Sequence, residues 1–170
     1  MASYPAEGVA GLFREHHGDL VRLAVLMVGD QPTAEDVVQD AYASMHARWS
    51  QLADKAAALP YIRAAILNGC RTVLRRRGVA RRVGVLHRAS APPGVLASAE
   101  QEVILSEDRR QVLAALTRLP RRRREVLVLR YYLGLSEAEI AAVLGISTGT
   151  VKSTAARALA ALGRDLGEES

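Results

Sequence analysis

The stretch LSEAEIAAVLGISTGTVKSTAARALAAL, residues 135–162, decides the fold of the C-terminal part of the chain. Ser136 and Glu139 form the pattern of a capping box, which predicts the start of a helix. Gly145 permits the left-handed conformation of a tight turn, and Ser147 is placed to cap a second helix. The stretch therefore predicts two short helices joined by a turn.

The two predicted helices are Glu137–Leu144 and Thr148–Leu166. The second of them has two unlike sides. One side is an apolar stripe: Val151, Ala155, Ala158, Leu159 and Leu162. The other side carries small, polar and basic residues: Gly149, Lys152, Ser153, Ala156 and Arg157. A short helix, a glycine turn and a second helix with a cationic outer face are typical of a helix-turn-helix that enters the DNA major groove. The alternative is a generic αα-hairpin, which this combination of features disfavours.

Working outward, helical periodicity continues, and no stretch alternates with a period of two. In the N-terminal part, a helix is predicted to follow an N-cap at Thr33 and to end near Trp49. Ser50–Leu59 is predicted to form a loop or weak helix. The other predicted helices are Gly8–Val28, Tyr61–Arg77, Ala99–Leu119 and Arg121–Leu133. The sequence predicts an all-α chain: an N-terminal helical bundle (8–78), a flexible linker (79–98) and a C-terminal helix-turn-helix bundle (99–166).

Composition excludes several classes of protein. The 170 residues are 49% hydrophobic, which suits a globular protein with a core, and Cys70 alone supports neither a disulfide framework nor a CxxC metal site. No apolar run is long enough for a membrane helix, and the N-terminus lacks a signal-peptide pattern, so a cytoplasmic protein is expected. No nucleophile–base set, phosphate loop or dinucleotide fingerprint is present. We therefore predict no catalytic residues, no cofactor and no metal.

Charge is unevenly distributed along a chain whose net charge is +5. Residues 75–88 hold six Arg and no acid, residues 121–124 are four consecutive Arg, and residues 1–74 carry a small net negative charge. An acidic part beside basic clusters suggests one basic partner and one polyanionic partner. The alternative for any one cluster is a solvated face.

The acidic cluster lies on the helix predicted between Thr33 and Trp49. On this helix, Glu35, Asp36, Gln39 and Asp40 share one side. A basic protein surface is one partner that this side fits. Favourable interaction with the helix dipole is the alternative, and it accounts for Glu35 and Asp36 but not for Asp40. A divalent metal is a weaker option, because no second set of ligands has suitable spacing.

The helix that begins near Tyr61 carries Asn68, Arg71 and Arg75 opposite its apolar side. Arg71 and Arg75 repel each other at a spacing of four residues, and a polyanion would relieve that repulsion. Asn and Arg side chains also hydrogen-bond well to base edges. A solvated basic face is the alternative.

These residues resemble the bacterial sigma factors. The sequences that resemble sigma factor region 2 are 33–42, Trp49, 60–63 and Asn68, and those that resemble region 4 are 119–132, 135–141 and 144–153. Both modules are present, and nothing has the size of the other sigma regions. The chain is therefore similar to the small extracytoplasmic-function group, over about residues 8–78 and 100–166.

The resemblance implies a factor that binds core RNA polymerase and directs promoter-specific transcription initiation. By this resemblance, the residues that dock on the β′ clamp are Glu35, Asp36, Gln39 and Asp40. Recognition and melting of the −10 element fall to Asn68, Arg71, Arg75 and Arg76, with Ser50–Leu59 capturing a flipped base. Recognition of the −35 element falls to Thr148, Lys152, Ser153, Ala156 and Arg157, with Arg124 at a backbone-contact position. The implied partners are the β′ clamp and β flap of the polymerase and promoter DNA, and an anti-sigma factor is a further candidate.

Two other classes of function remain open at this point. A stand-alone helix-turn-helix regulator would use the C-terminal motif, usually as a dimer on a palindrome. A protein-interaction adaptor would use the acidic helix alone.

Overall fold

The computed structural model describes residues 8–83 and 107–167, and every regular element within those ranges is helical. The helices are α1 (Gly8–Val28), α2 (Gln31–Arg48), α3 (Ala58–Arg82), α4 (Glu107–Arg118), α5 (Arg121–Leu127), α6 (Glu137–Leu144) and α7 (Thr148–Gly167). Two 3-10 turns, Trp49–Gln51 and Lys55–Ala57, lie between α2 and α3. The chain divides into two compact units, Met1–Pro92 and Pro93–Ser170. The prediction of an all-α chain with two helical domains is confirmed.

In the N-terminal unit, α1, α2 and α3 pack against one another around an aliphatic core. Its largest fully buried side chains are Leu12, Leu20, Leu23, Met27, Met45, Ile62, Ile66 and Leu67. Burying each such side chain stabilises the fold by about 1.5–3 kcal/mol. Cys70 is fully buried beside them. Its thiol is therefore a small side chain of the core.

The start of α2 differs from the prediction. Asp30 is the N-cap, and its carboxylate accepts a hydrogen bond from the Thr33 backbone N–H at 3.0 Å. Thr33 lies inside the first turn, so its assignment as the N-cap was wrong. Pro32 lies in the same turn, where a missing N–H costs no intrahelical hydrogen bond.

Helix α3 is longer than predicted at both ends. It begins at Ala58 instead of Tyr61, and it continues to Arg82 instead of ending at Arg77. Residues 79–82 of the predicted linker are thus helical, whereas a linker end at residue 98 and a helix start at residue 99 lie outside the described residues. Gly78 was expected to end the helix, but glycine inside a helix costs only about 1 kcal/mol relative to alanine.

Tertiary contacts hold Arg77, the residue before Gly78, in place. Its guanidinium donates to the Val28 carbonyl oxygen at 2.8 Å, to the Asp30 carboxylate at 2.6 Å and to the Thr33 hydroxyl at 3.0 Å. Burial alone would raise the pKa of Asp30, but the hydrogen bonds from Thr33 and Arg77 and the charge of Arg77 outweigh it, so the pKa lies below its ordinary value. This Asp30–Arg77 clasp joins the end of α1 and the start of α2 to the C-terminal half of α3.

Gly69 lies where α3 approaches α2. A Cβ atom at this position would lie 2.8 Å from Cγ1 of Val37. Valine has little freedom to move away, because a helix leaves it essentially one rotamer. The weakly helical pair Gly69-Cys70 is therefore explained by close packing of two helices.

Gly69→Ala is expected to destabilise the N-terminal unit, because the overlap with Val37 outweighs the better helix propensity of alanine. Overpacking of this kind costs about 1–3 kcal/mol. Gly78→Ala, on the same helix with no atom within 4 Å of the added Cβ, is the matched control and should stabilise by up to about 1 kcal/mol. Urea unfolding of both variants measures the two effects, and a stabilised Gly69→Ala variant would contradict the packing account.

In the C-terminal unit, α5 and α7 form the central contact, and α4 and α6 pack against α7. The buried apolar residues include Leu113, Leu116, Val126, Leu129, Ile140, Val151, Ala155 and Ala158. The predicted stripe on α7 is correct at Val151, Ala155 and Ala158. Leu159 and Leu162 were predicted to be buried as well, but Leu159 is 44% exposed and Leu162 is half-buried, so the buried stripe is narrower than predicted.

The caps of α6 and α7 and the turn between these helices have the predicted geometry. The Ser136 hydroxyl accepts from the Glu139 backbone N–H at 3.2 Å, and the Glu139 carboxylate accepts from the Ser136 N–H at 2.7 Å, which completes the capping box. Gly145 is left-handed, with φ 65° and ψ 39°. The Ser147 hydroxyl accepts from the Thr150 N–H at 3.1 Å and caps α7.

The predicted continuous helix Arg121–Leu133 is interrupted. The α-helical part ends at Leu127, and Val128–Tyr132 form a π-helical turn. The wider turn carries Tyr131 and Tyr132 at the surface. Such turns are frequent at functional sites, and periodicity alone does not distinguish them from an α-helix.

Candidate polymerase-docking and nucleic-acid surfaces

The acidic face of α2 consists of Glu35, Asp36, Gln39 and Asp40, and all four side chains are exposed. Glu35 accepts a hydrogen bond from the Gln31 amide at 2.8 Å. Within residues 8–83 and 107–167, neither Asp36 nor Asp40 has an ion-pair or hydrogen-bond partner. Two carboxylates one helical turn apart therefore face solvent without compensation, and like charges at this spacing are mildly destabilising.

The basic face of α3 consists of Asn68, Arg71, Arg75 and Arg76. Asn68, Arg75 and Arg76 are exposed, and Arg71 is half-buried. The Arg71 guanidinium donates to the Asn68 side-chain oxygen at 3.0 Å. This bond orients two side chains that are both able to read base edges. Arg77, the next basic residue, is half-buried and is engaged in the clasp to Asp30.

The Ser50–Leu59 segment is better ordered than a simple loop. Its two 3-10 turns are held by Asp54, which accepts from the Ala56 backbone N–H at 2.9 Å, and by Lys55, which donates to the Trp49 carbonyl oxygen. The Lys55 ammonium also lies 4.6 Å from the centroid of the Trp49 ring, a cation–π contact. No sequence pattern singles out Lys55, since this contact depends on how the turns fold back.

The outer face of α7 consists of Thr148, Lys152, Ser153, Ala156 and Arg157, and all five are exposed. The opposite side of the helix is buried against α5 and α6 through Val151, Ala155 and Ala158. The structure thus presents one cationic, small-residue surface of the second helix of a helix-turn-helix. Such a surface allows close approach to a major groove.

Arg124 does not lie at the surface, which corrects its assignment to a DNA-backbone contact. Its exposed fraction is 6%. One of its terminal nitrogens, Nη2, donates to the carbonyl oxygens of Thr117 and Leu119, at 2.5 Å and 3.2 Å. Thr117 lies in the last turn of α4 and Leu119 directly follows the helix, and carbonyl oxygens at a helix C-terminus lack intrahelical partners. Arg124 therefore caps α4 from inside the unit.

Glu125 is a functional candidate that the sequence pattern did not reveal. Its side chain is fully buried, and it pairs with Arg122 at 3.2 Å and with Arg121 at 3.8 Å. The spacings of three and four residues suit ion pairs on one helix, and this signal could have found the pairs. It could not have revealed the burial, which depends on how α5 packs against α7.

Two kinds of feature, a membrane-spanning helix and a metal-binding cluster, are absent from the described part of the chain. None of its helices is both long and apolar enough to cross a membrane. It also contains no group of three His, Cys, Asp or Glu side chains able to hold a metal ion.

Two family models match the two units. "Sigma-70 region 2" matches residues 12–79, and "Sigma-70, region 4" matches residues 109–162. The chain belongs to the sigma-70 family. The two matches place the acidic face of α2 and the basic face of α3 in region 2, and the helix-turn-helix in region 4.

Curated relatives of this sigma factor include members of the extracytoplasmic-function group. It is 35% identical over 153 residues to the RNA polymerase sigma-E factor of Streptomyces coelicolor, covering 90% of this chain and 82% of the relative. It is 35% identical over 156 residues to the ECF RNA polymerase sigma factor SigM of Mycobacterium tuberculosis, covering 92% of this chain and 76% of that one. Extracytoplasmic-function identity, implied by the sequence resemblance, is confirmed.

Solved structures agree on the fold. The sigma factor RpoE of Bartonella quintana, in complex with the anti-sigma factor NepR, matches with a TM-score of 0.73 and 23% identity over 92% of this chain and 97% of that one. CnrH, in complex with the cytosolic domain of CnrY, matches with a TM-score of 0.67 and 25% identity over 95% of this chain and 89% of that one. Sigma factors are regulatory, non-catalytic subunits that serve transcription initiation by RNA polymerase.

Proposed function

We propose that this sigma factor docks on core RNA polymerase through the acidic face of α2, reads the −10 element through the basic face of α3 and reads the −35 element through the outer face of α7. The observation that carries this proposal is the separation of charge. An exposed carboxylate pair that has no partner among residues 8–83 and 107–167 lies on α2, and two cationic faces lie on α3 and α7, in different units. One basic partner and one polyanion fit this arrangement.

Two weak DNA readers on one chain bind more tightly than either alone, because the first contact raises the effective concentration of the second. The polymerase supplies the catalysis, so this chain needs only to fix the enzyme at a promoter. In this scheme α7 holds duplex DNA upstream, while α3 and the Ser50–Leu59 segment hold the strand that opens.

Strand opening follows from capture of unpaired bases. Extruding a base costs a few kcal/mol of stacking and pairing, which binding of the unpaired base must offset. Asn68 and Arg71 supply hydrogen-bond donors and an acceptor for base edges, and the cation–π contact of Lys55 with Trp49 ties the segment to the end of α2. Arg75 and Arg76 are exposed one to two turns further along α3, where cations would hold the backbone of the opened strand.

An anti-sigma factor is a further proposed partner. The two structural neighbours described above were solved bound to a protein partner, which for RpoE is named as an anti-sigma factor. An anti-sigma factor that covers either the acidic face or the outer face of α7 would block one arm of the proposed function.

Transcription on a genomic fragment library tests the proposal. Core polymerase freed of other sigma factors should start at a discrete set of sites only when this chain is added, and those sites should share two elements at a fixed spacing. A symmetric footprint of this chain on DNA without polymerase would favour a stand-alone regulator. Binding to polymerase without any change in transcripts would favour an adaptor.

A further inference from the structure

Glu125 on α5 carries a fully buried carboxylate. The other buried side chains of its unit are mainly apolar. It forms ion pairs with Arg122 Nη1 at 3.2 Å and with Arg121 Nε at 3.8 Å. Both arginines precede it on the same helix, so the three side chains form one cluster at the start of α5.

Stability alone gives little reason for this cluster. Taking a carboxylate out of water is costly, and a well-packed apolar side chain of similar volume is often as stable or more stable at such a position. A buried charge with partly exposed partners is better explained by what it does to those partners.

The two arginines keep most of their binding capacity. The side chains of Arg121 and Arg122 are 47% and 38% exposed. A guanidinium carries five N–H donors, and the ion pair to Glu125 engages only part of them. Within residues 8–83 and 107–167, Arg121 and Arg122 have no polar partner other than Glu125, in contrast to Arg124, which is buried against α4.

We propose that Glu125 is a positioning residue that holds Arg121 and Arg122 as a preorganised phosphate-binding pair for duplex DNA. The inference rests on the proposed DNA-binding function of the C-terminal unit and moves the backbone contact from Arg124 to these two residues. The carboxylate accepts a hydrogen bond from Arg122 and lies in ion-pair range of Arg121, so both guanidiniums lose part of their rotamer freedom when the unit folds and not on DNA binding. Two planar donor groups side by side suit phosphate oxygens.

The sign of one charge change tests this role. Glu125→Gln removes a negative charge, and simple electrostatics would make the chain bind DNA more tightly. Positioning predicts the opposite: affinity for a mixed-sequence 30-base-pair duplex should fall about fivefold, since two side chains lose their fixed geometry. Fluorescence anisotropy of the full chain over a KCl series measures this affinity.

Glu137→Gln is the matched control. Glu137 also pairs with an arginine in the same unit, Arg130 at 3.1 Å, but its carboxylate is 37% exposed. The same change of charge there should leave affinity unchanged or raise it. Helicity and thermal unfolding check that both variants fold, and Glu125→Met provides a second variant without the carboxylate that should show the same loss of affinity.

A double-mutant cycle separates positioning from a general structural role. Arg121→Ala with Arg122→Ala should lower the slope of log affinity against log salt by about 1.8. Adding Glu125→Gln to that variant should change affinity no further. Equal or tighter binding by Glu125→Gln and Glu125→Met would overturn the inference, while failure of the parent chain to bind the duplex at low salt would overturn the proposed DNA-binding function itself.

Discussion

Replacing Asp36 and Asp40 together by lysine is expected to weaken binding of this chain to core RNA polymerase by about 100-fold or more. The two carboxylates are exposed, and neither forms an ion pair within residues 8–83 and 107–167. Reversal would place two cations against a basic partner surface, and like charges across an interface cost several kcal/mol, of which about 2.7 kcal/mol corresponds to 100-fold.

The fold should survive this change, because both side chains are exposed and lie outside the buried core of the unit. Circular dichroism should give the parent helicity, and binding is measured by competition with labelled parent chain for core polymerase. Glu15→Lys with Asp19→Lys is the matched control: both residues are exposed, they are four apart on α1, and the change of charge is the same. A double variant on α2 that competes as well as the parent would reject docking through this face.

The fold was predictable where local chemistry decides it. The capping box of Ser136 and Glu139 and the left-handed Gly145 set the boundaries of α6 with contacts only a few residues apart. The exposed acidic face of α2 and the outer face of α7 followed from helical periodicity alone. These are features that a short window of sequence contains in full.

The predictions were wrong where the structure depends on contacts between residues that are distant in the sequence. Gly78 predicts a helix end, yet α3 continues to Arg82. The adjacent Arg77 is held by Val28, Asp30 and Thr33, more than 40 residues away in the chain, and a local pattern does not contain such contacts. The run of four arginines reads as one phosphate-binding patch. The structure divides it, because α5 turns Arg124 towards α4 and leaves Arg121 and Arg122 at the surface beside Glu125.

Two separate surfaces are proposed to read DNA in different states, and a pair of single arginine substitutions tests this division. Arg157→Ala on α7 should weaken binding to closed, duplex promoter by about 1–3 kcal/mol, or roughly 5- to 150-fold, if this residue contacts a base. Arg71→Ala on α3 should leave duplex binding nearly unchanged and impair strand opening, because it removes both a donor to the unpaired strand and the partner that orients Asn68.

Permanganate footprinting of holoenzyme on duplex promoter and on the same promoter with a pre-melted bubble measures this most directly. A bubble removes the cost of opening but not the need to bind upstream. We predict that the bubble restores open-complex formation by the Arg71→Ala holoenzyme far more than by the Arg157→Ala holoenzyme. Equal rescue of the two variants would contradict the account, since it would mean that α3 and α7 do not divide strand opening and duplex recognition between them.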